Sequence, residues 1–448
     1  MNDMETVIKK GDARVIRGWT FYDWANSVYP LVITTAIFPI FFGSRQYDPE
    51  LLEYSNGQEV QYVMFFGFKL VNTFVISLVS SIYFLLIVLL MPMLTGIADF
   101  SGNKKGFLRF FCYLGSVSCM CLAFFDINHL ELSLIPYFLA GIGFWSSLVY
   151  YNAYLPEIAE EKDHDSISAR GFAMGYFGSV ILLLVCLGMI MGVSKEYTET
   201  ATRLSFVLTG LWWFGFAHVT FNRLPRTKAK ELQEGESIIK QGANEIKAVW
   251  KVVRGTVRLK RYITAFFVYS MAVQTIMIMA AYFGEKEIGW GSPEEKTLGL
   301  IVSIVLIQLI AIPGAFFISY LSNKLGNIKA LSIVLVVWVL ICGSARLVTA
   351  PVHFYIIAGF VGFVMGGIQS LSRSTFSKYI PKDAVDTASF FSFYDISEKL
   401  GIVIGLFSYG LIEQLTGSMR NSILALIVFF IVGLLLLFRV PKEEKIAA

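Results

Sequence analysis

Runs of apolar residues long enough to cross a bilayer alternate with short polar connections along almost the whole of this 448-residue chain. A helix needs about 20 mostly apolar residues to cross the hydrocarbon core. Twelve runs qualify, near 18–42, 70–97, 107–126, 132–156, 170–193, 203–222, 262–284, 297–319, 330–349, 353–377, 388–413 and 419–439. The pattern predicts an all-α membrane protein of twelve transmembrane helices. Prolines 30, 39, 92 and 313 fall inside these runs, where neighbouring helices can satisfy the freed carbonyls. Glycines recur at helical spacing, as at Gly171, Gly175 and Gly178 and at Gly362, Gly366 and Gly367, and read as close helix packing.

The longest polar stretch, 223–261, divides the chain into six spans and six. This gives an N-terminal bundle over 1–222, a linker over 223–261 and a C-terminal bundle over 262–448. Late in the linker, Ile246, Trp250, Val253 and Val257 form one helical stripe, and Lys247, Lys251, Arg254 and Arg258 form the next. That pattern fits an amphipathic helix on an anionic cytoplasmic leaflet, or a soluble linker helix. An internal repeat supports the division. Gly102-Asn103-Lys104-Lys105 follows span 2 and Gly326-Asn327-Ile328-Lys329 follows span 8, at an offset of 224. Tyr154-Leu155-Pro156 and Tyr379-Ile380-Pro381 close spans 4 and 10, at an offset of 225. Two matches at nearly one offset imply duplicated six-helix halves, a transporter build.

Composition agrees. Apolar residues make up 56% and charged residues 16%, against roughly 25% charged in soluble domains. With the N-terminus placed in the cytoplasm, cytoplasmic segments hold 28 of the 37 lysines and arginines, the opposite loops hold eight, and Lys399 lies within a span. The positive-inside rule then places both termini in the cytoplasm. The polar N-terminal stretch MNDMETVIKKGDARVIRGW lacks a cleavable leader pattern, so the first span should act as an uncleaved signal. The five cysteines lie in apolar runs and read as packing residues, and the four histidines are scattered. No metal-ligand spacing, phosphate loop or nucleophile elbow occurs, so no cofactor, metal, enzyme activity or nucleic-acid partner is expected. The expected partners are a bilayer and a small-molecule substrate, with the chain acting as a monomer.

The segment Gly96 to Lys105 resembles the loop signature of the major facilitator superfamily, Gly-x-x-x-Asp-x-x-Gly-Arg-Lys. Asp99 comes one residue early and Asn103 replaces the usual arginine. Gly96, Asp99, Gly102, Lys104 and Lys105 are gating candidates, because an acid at one helix end can pair with a neighbouring helix N-terminus or a loop cation. The alternative is a plain turn with its charges in water. The second copy has Asn323 at the acidic position and should latch more weakly.

Ionisable groups inside spans are costly and usually face a partner or a cavity. Asp23 lies about five residues into span 1. It either faces a cavity or rests at the interface, satisfied by the helix N-terminus or Arg17. Tyr22, Asn26 and Tyr29 share one face there. Asn152 ends span 4, and Arg170 and Tyr176 begin span 5. Gln369 and Arg373 are one turn apart on span 10, where Arg373 either shares a cavity or snorkels to the surface. On span 11, Asp395 and Lys399 stand one turn apart with Tyr394 and Glu398 beside them. They form either an intrahelical pair or part of a polar cavity that binds a carboxylate or relays a proton. Gln274 is a lone polar group in span 7, while Trp145, Trp212 and Trp213 read as interface or packing residues.

Five segments together carry a closer resemblance: Trp-x-x-Tyr-Asp-Trp-Ala-Asn-Ser, Tyr-Asn-Ala-x-Leu-Pro-Glu, Arg-Gly-x-x-x-Gly-Tyr, Gly-Gly-x-Gln-x-x-Ser-Arg and Phe-Tyr-Asp-x-x-x-Lys, spread over 17–400. The chain resembles the vacuolar amino-acid effluxer family, the autophagy-related branch of the superfamily, and its bacterial homologues. The resemblance implies a major facilitator fold and efflux of amino acids or related metabolites. The combined expectation is a secondary transporter working by alternating access, coupled to protons through Asp23, Asp395 or Glu398. It should sit in a bacterial cell membrane, or in the vacuolar membrane of a eukaryote. The alternatives are a carrier for sugars or peptides, or a sensor or lipid scramblase on the same scaffold.

Overall fold

A computed structural model describes residues 10–43, 51–55, 58–226, 237–382, 384, 386–416 and 418–442. Residues 1–9 of the N-terminal stretch, 227–236 of the linker and 443–448 of the C-terminal tail lie outside the described residues.

Helix α1 (Ala13–Asn26) starts at Asp12, whose side chain accepts from the Arg14 N–H, and meets Pro30 after four turns. Proline has no N–H to donate, and the backbone widens into π-helical turns over Tyr29–Ile37 before closing at Phe38–Gly43. The Thr34 and Thr35 hydroxyls both donate to the Pro30 carbonyl. The remaining helices of the first half are α2 (Asn72–Phe100), α3 (Lys104–Cys121), α4 (Leu130–Ala153), α5 (His164–Met191) and α6 (Thr198–Arg223). Linker helix α7 (Ile238–Gly255) precedes α8 (Val257–Glu287), α9 (Pro293–Leu325), α10 (Asn327–Ala345), α11 (Pro351–Tyr379), α12 (Thr387–Thr416) and α13 (Met419–Phe438). Among the described residues, eleven helices satisfy length and hydropathy requirements for crossing a membrane. The twelfth span is α12, whose apolar run is broken by Asp395, Glu398 and Lys399. Side chains such as Leu89, Phe110, Leu340 and Phe407 stay exposed on the outer surface, as lipid contact requires.

Between α1 and α2 a feature appears that the apolar pattern did not signal. Strands β1 (Leu52–Ser55), β2 (Gln58–Phe65) and β3 (Phe68–Val71) form an antiparallel meander. Phe65 pairs with Phe68 across a two-residue turn, Phe66 and Gly67, both at positive φ, as a tight hairpin demands.

The interface between the halves follows the duplication. Helix α12 packs on α2 and α4, and α5 packs on α9 and α11. Exchanging each span for the one six spans away converts one set into the other. The repeated loops show the same relation, since Gly102 and Gly326 both adopt positive φ at the tight turn between consecutive spans. The glycine stripes serve packing. A Cβ at Gly171, Gly175 or Gly178 would collide with Asp23, Ser27 or Trp24 of α1, and one at Gly362 or Gly366 with the α9 backbone.

Linker helix α7 lies against α2 and reaches α12. Val249 and Val253 are buried, Gly242 abuts Gly96 backbone to backbone, and Trp250 stacks on Phe393 of α12. The apolar stripe is therefore spent on protein, centred one residue from the expected Ile246–Trp250 line, while Lys247, Lys251 and Arg254 remain exposed.

Candidate functional site: a central cavity with a sealed floor

A partly open cavity of about 200 Å³ lies between the halves. It takes side chains from α1, α4 and α5 on one side and α8, α9, α11 and α12 on the other. The face the first span presents is Asp23 of α1 followed by Ser27, Pro30, Leu31 and Thr35, so the widened helical turns line the site directly.

At the floor, Arg373 of α11 crosses to the N-terminal half. Its Nε donates to Ser168 Oγ at 2.9 Å and its Nη2 to the Ser168 carbonyl at 3.0 Å. Asn152 Oδ1 accepts at 3.3 Å and Asp23 Oδ2 at 3.4 Å from the same guanidinium. The Tyr151 hydroxyl donates to Asp23 at 2.7 Å. The guanidinium also lies over the rings of Phe172 and Trp19, at 4.3 and 4.8 Å. Arg373 is 3% exposed, so it does not snorkel, and Asp23 is held across the interface rather than by Arg17. One turn higher, the Tyr176 hydroxyl donates to Gln369 Oε1 at 2.6 Å, again joining the halves.

On the α12 wall, Lys399 Nζ donates to Asp395 Oδ1 at 2.9 Å and Glu398 Oε2 at 2.8 Å. Gln274 Nε2 of α8 donates to Glu398 Oε1 at 2.8 Å. The Lys399 ammonium also stands 3.7 Å above the Trp145 ring of α4. The intrahelical Asp395–Lys399 pair of span 11 is present, and Asp395 and Glu398 also line the cavity. Tyr394 lines the same wall, stacked 4.1 Å from Phe266.

Three of the candidates on the first span do not reach the cavity. Tyr22, Asn26 and Tyr29 turn into the N-terminal bundle, where Tyr22 packs on Tyr151 and Tyr29 on Phe144 and Trp213. Their shared face is real, but it is the neighbouring face, carrying Asp23 and Ser27, that meets the cavity. Arg170 is also misplaced by the sequence reading: it is exposed, because the next residue, Gly171, is the one facing Asp23. Trp145 is a cavity residue rather than an interface or packing residue, whereas Trp212 packs on Trp24 and Trp213 is fully buried.

Below the floor, on the side where α1 begins and α13 ends, two polar latches join the halves. In the first, Asp99 accepts from the Ser389 N–H and hydroxyl, both at 2.7 Å, at the N-terminus of α12. Lys104 is fully buried, 3.4 Å from Asp99 and 2.8 Å from Thr387, and paired with Glu157. Lys105 takes no part; its Nζ donates to the Leu224 carbonyl beyond α6, within its own half. Gly96 makes room for α7, and Gly102 makes the turn. In the second latch Asn323 is exposed and the acid comes from the other partner. Asp165, on α5, accepts from Ser322 at 2.7 Å and Asn327 at 2.8 Å, and pairs with Lys378 at 2.7 Å. Sequence reasoning missed Glu157, Asp165, Ser168 and Lys378. Glu157 stood in a quoted motif, but nothing local marked the other three.

Comparisons with known proteins agree with this architecture. The family described as vacuole effluxer Atg22 like matches residues 12–448. An uncharacterized MFS-type transporter, YxiO of Bacillus subtilis, is 30% identical over 432 residues, covering 95% of each chain. Autophagy-related protein 22-1 of Aspergillus niger is 28% identical over 307 residues, 64% of this chain but 48% of its own length. Among solved structures, the major facilitator transporter FucP in its outward conformation superposes with a TM-score of 0.67 at 13% identity, covering 96% of this chain and 99% of its own.

Proposed function

We propose that this chain, which belongs to the vacuole effluxer Atg22-like family of secondary transporters, exports amino acids or related small metabolites by alternating access. In this reading the bundles over 1–222 and 262–448 rock about the cavity, with 223–261 as a cytoplasmic linker, both termini cytoplasmic and one chain sufficient. The membrane is the cell membrane of a bacterium, or the vacuolar membrane in a eukaryote. The family and fold are those of transporters, not enzymes.

The observation that carries the proposal is a cavity walled by both halves and floored by groups that each half donates to the other. Such a floor is stable only while the halves are closed on that side, so opening there must break it. Arg373 with Asp23 is the natural coupling point. A proton on Asp23 removes the charge that Arg373 answers, which weakens the floor and links opening to proton binding. Gln369, Tyr176, Tyr394 and the Asp395–Glu398–Lys399 group form the solute site above it.

The test is flux into and out of liposomes holding the purified protein, across a panel of amino acids and small metabolites. We expect saturable flux of at least one amino-bearing solute, altered by an imposed pH gradient. No flux across the panel would overturn the transport assignment. Flux indifferent to pH in both directions would remove the proton coupling alone.

A further inference from the structure

The charges of the cavity do not balance. Among the described residues its charged side chains are Asp23, Arg373, Asp395 and Glu398, with Lys399 held between the last two. Three carboxylates thus face two cations, and both cations are fully engaged. Arg373 spends its donors on Ser168, Asn152 and Asp23. Lys399 is fully buried against Asp395, Glu398 and the Trp145 ring. Neither is left to receive an anionic group. The unsatisfied capacity is negative: Asp395 lines the cavity at 6% exposure, and its Oδ2, buried behind that lining, accepts no hydrogen bond.

An unmatched carboxylate in a low-dielectric chamber is costly until a cation answers it. The walls around it suit a cation further. Trp145, Phe266, Tyr269 and Tyr394 line the same chamber, and the Trp145 ring already holds one ammonium, that of Lys399, over its face. Resting on the transporter reading above, we infer that the solute carries a net positive charge: an organic ammonium compound or a basic amino acid, rather than a neutral zwitterion or an acid. Its ammonium group meets the Asp395 and Glu398 carboxylates where they line the cavity, and the Lys399 ammonium keeps the two from being doubly uncompensated in the empty site.

Equilibrium binding to the purified full-length protein in detergent tests this, with four probes of similar chain length: cadaverine, lysine, norleucine and glutarate. Lysine and cadaverine should bind at least about tenfold more tightly than norleucine, the effect of about one well-placed charge–charge contact, and glutarate should not bind. Glu398→Gln, close to isosteric, should lower lysine affinity by about tenfold or more while changing norleucine affinity little. Asp395→Asn should act in the same direction, and an unchanged melting temperature identifies a folded variant. Norleucine or glutarate binding as tightly as lysine would overturn the inference, as would lysine affinity unchanged in both folded variants. Proton uptake on norleucine binding, read from calorimetry in buffers of different ionisation enthalpy, would also overturn it by showing that a proton fills the role. Because binding is measured without flux, a protein that holds lysine but moves no solute in liposomes sinks the transport reading and leaves this one standing. Norleucine flux without lysine binding does the reverse.

Discussion

Arg373 shows how one side chain joins the halves. Its planar fork reaches Asp23, Asn152 and Ser168 together while its face rests on Phe172 and Trp19. Lysine offers neither the fork nor the flat face. Arg373→Ala leaves Asp23 buried with only the Tyr151 hydroxyl, and truncating one partner of a buried pair costs about 3–5 kcal/mol. Removing both charges costs less, since no bare ion remains. We therefore expect the double variant Asp23→Asn with Arg373→Met to be more stable than Arg373→Ala alone in reversible denaturation of the full chain. Additive losses would show the two residues to be uncoupled. Both were legible as ionisable groups inside apolar runs, but their partnership was not, because 350 positions separate them. The face of α1 was also illegible. Helical spacing groups Tyr22, Asn26 and Tyr29 correctly, yet it cannot say which polar face meets a cavity and which meets a neighbouring helix.

Elements were far more legible than their contacts. Each of the twelve apolar runs corresponds to a helix, because span length is fixed by bilayer thickness whatever the packing. The meander of β1 to β3 escaped because short strands leave no run of that length. The linker helix was visible as an amphipathic stripe, but its partner was not, since a stripe fits lipid or protein equally. Its seat on α2 depends on two glycines. A Cβ at Gly242 would stand 2.8 Å from the Ile97 nitrogen, and one at Gly96 would run into the Gly242 backbone. Because α7 touches α2 in one half and Phe393 of α12 in the other, it braces the closed side. Gly242→Leu should lift α7 and raise deuterium uptake across 238–255, with Gly96→Leu acting alike and Gly188→Leu, which has open space, serving as the neutral control. Unchanged uptake in both displaced variants would mean that the helix is held elsewhere.

At the scale of the whole molecule, the two latches make the duplication mechanical. Both rest on carboxylates of the N-terminal half, Asp99 at the end of α2 and Asp165 at the start of α5, and both reach into the C-terminal half. The repeat therefore preserves the positions of the contacts while exchanging which helix end supplies the charge, so a loop signature alone reads only one of them. The α12 N-terminus helps hold one acid, whereas Ser322, Asn327 and Lys378 hold the other. Both latches lie on the same side of the cavity as its Arg373 floor, so alternating access requires them to release together. A short thiol crosslink between Asp165→Cys and Ser322→Cys replaces a 2.7 Å hydrogen bond with a covalent tie at that side. The tied protein should still bind solute, because neither Asp165 nor Ser322 lines the cavity, yet flux in liposomes should vanish and return on reduction. Binding lost together with flux would place solute entry on the latched side. Full flux through the tied protein would mean that the halves do not separate there at all, and the rocking-bundle mechanism would fail with it.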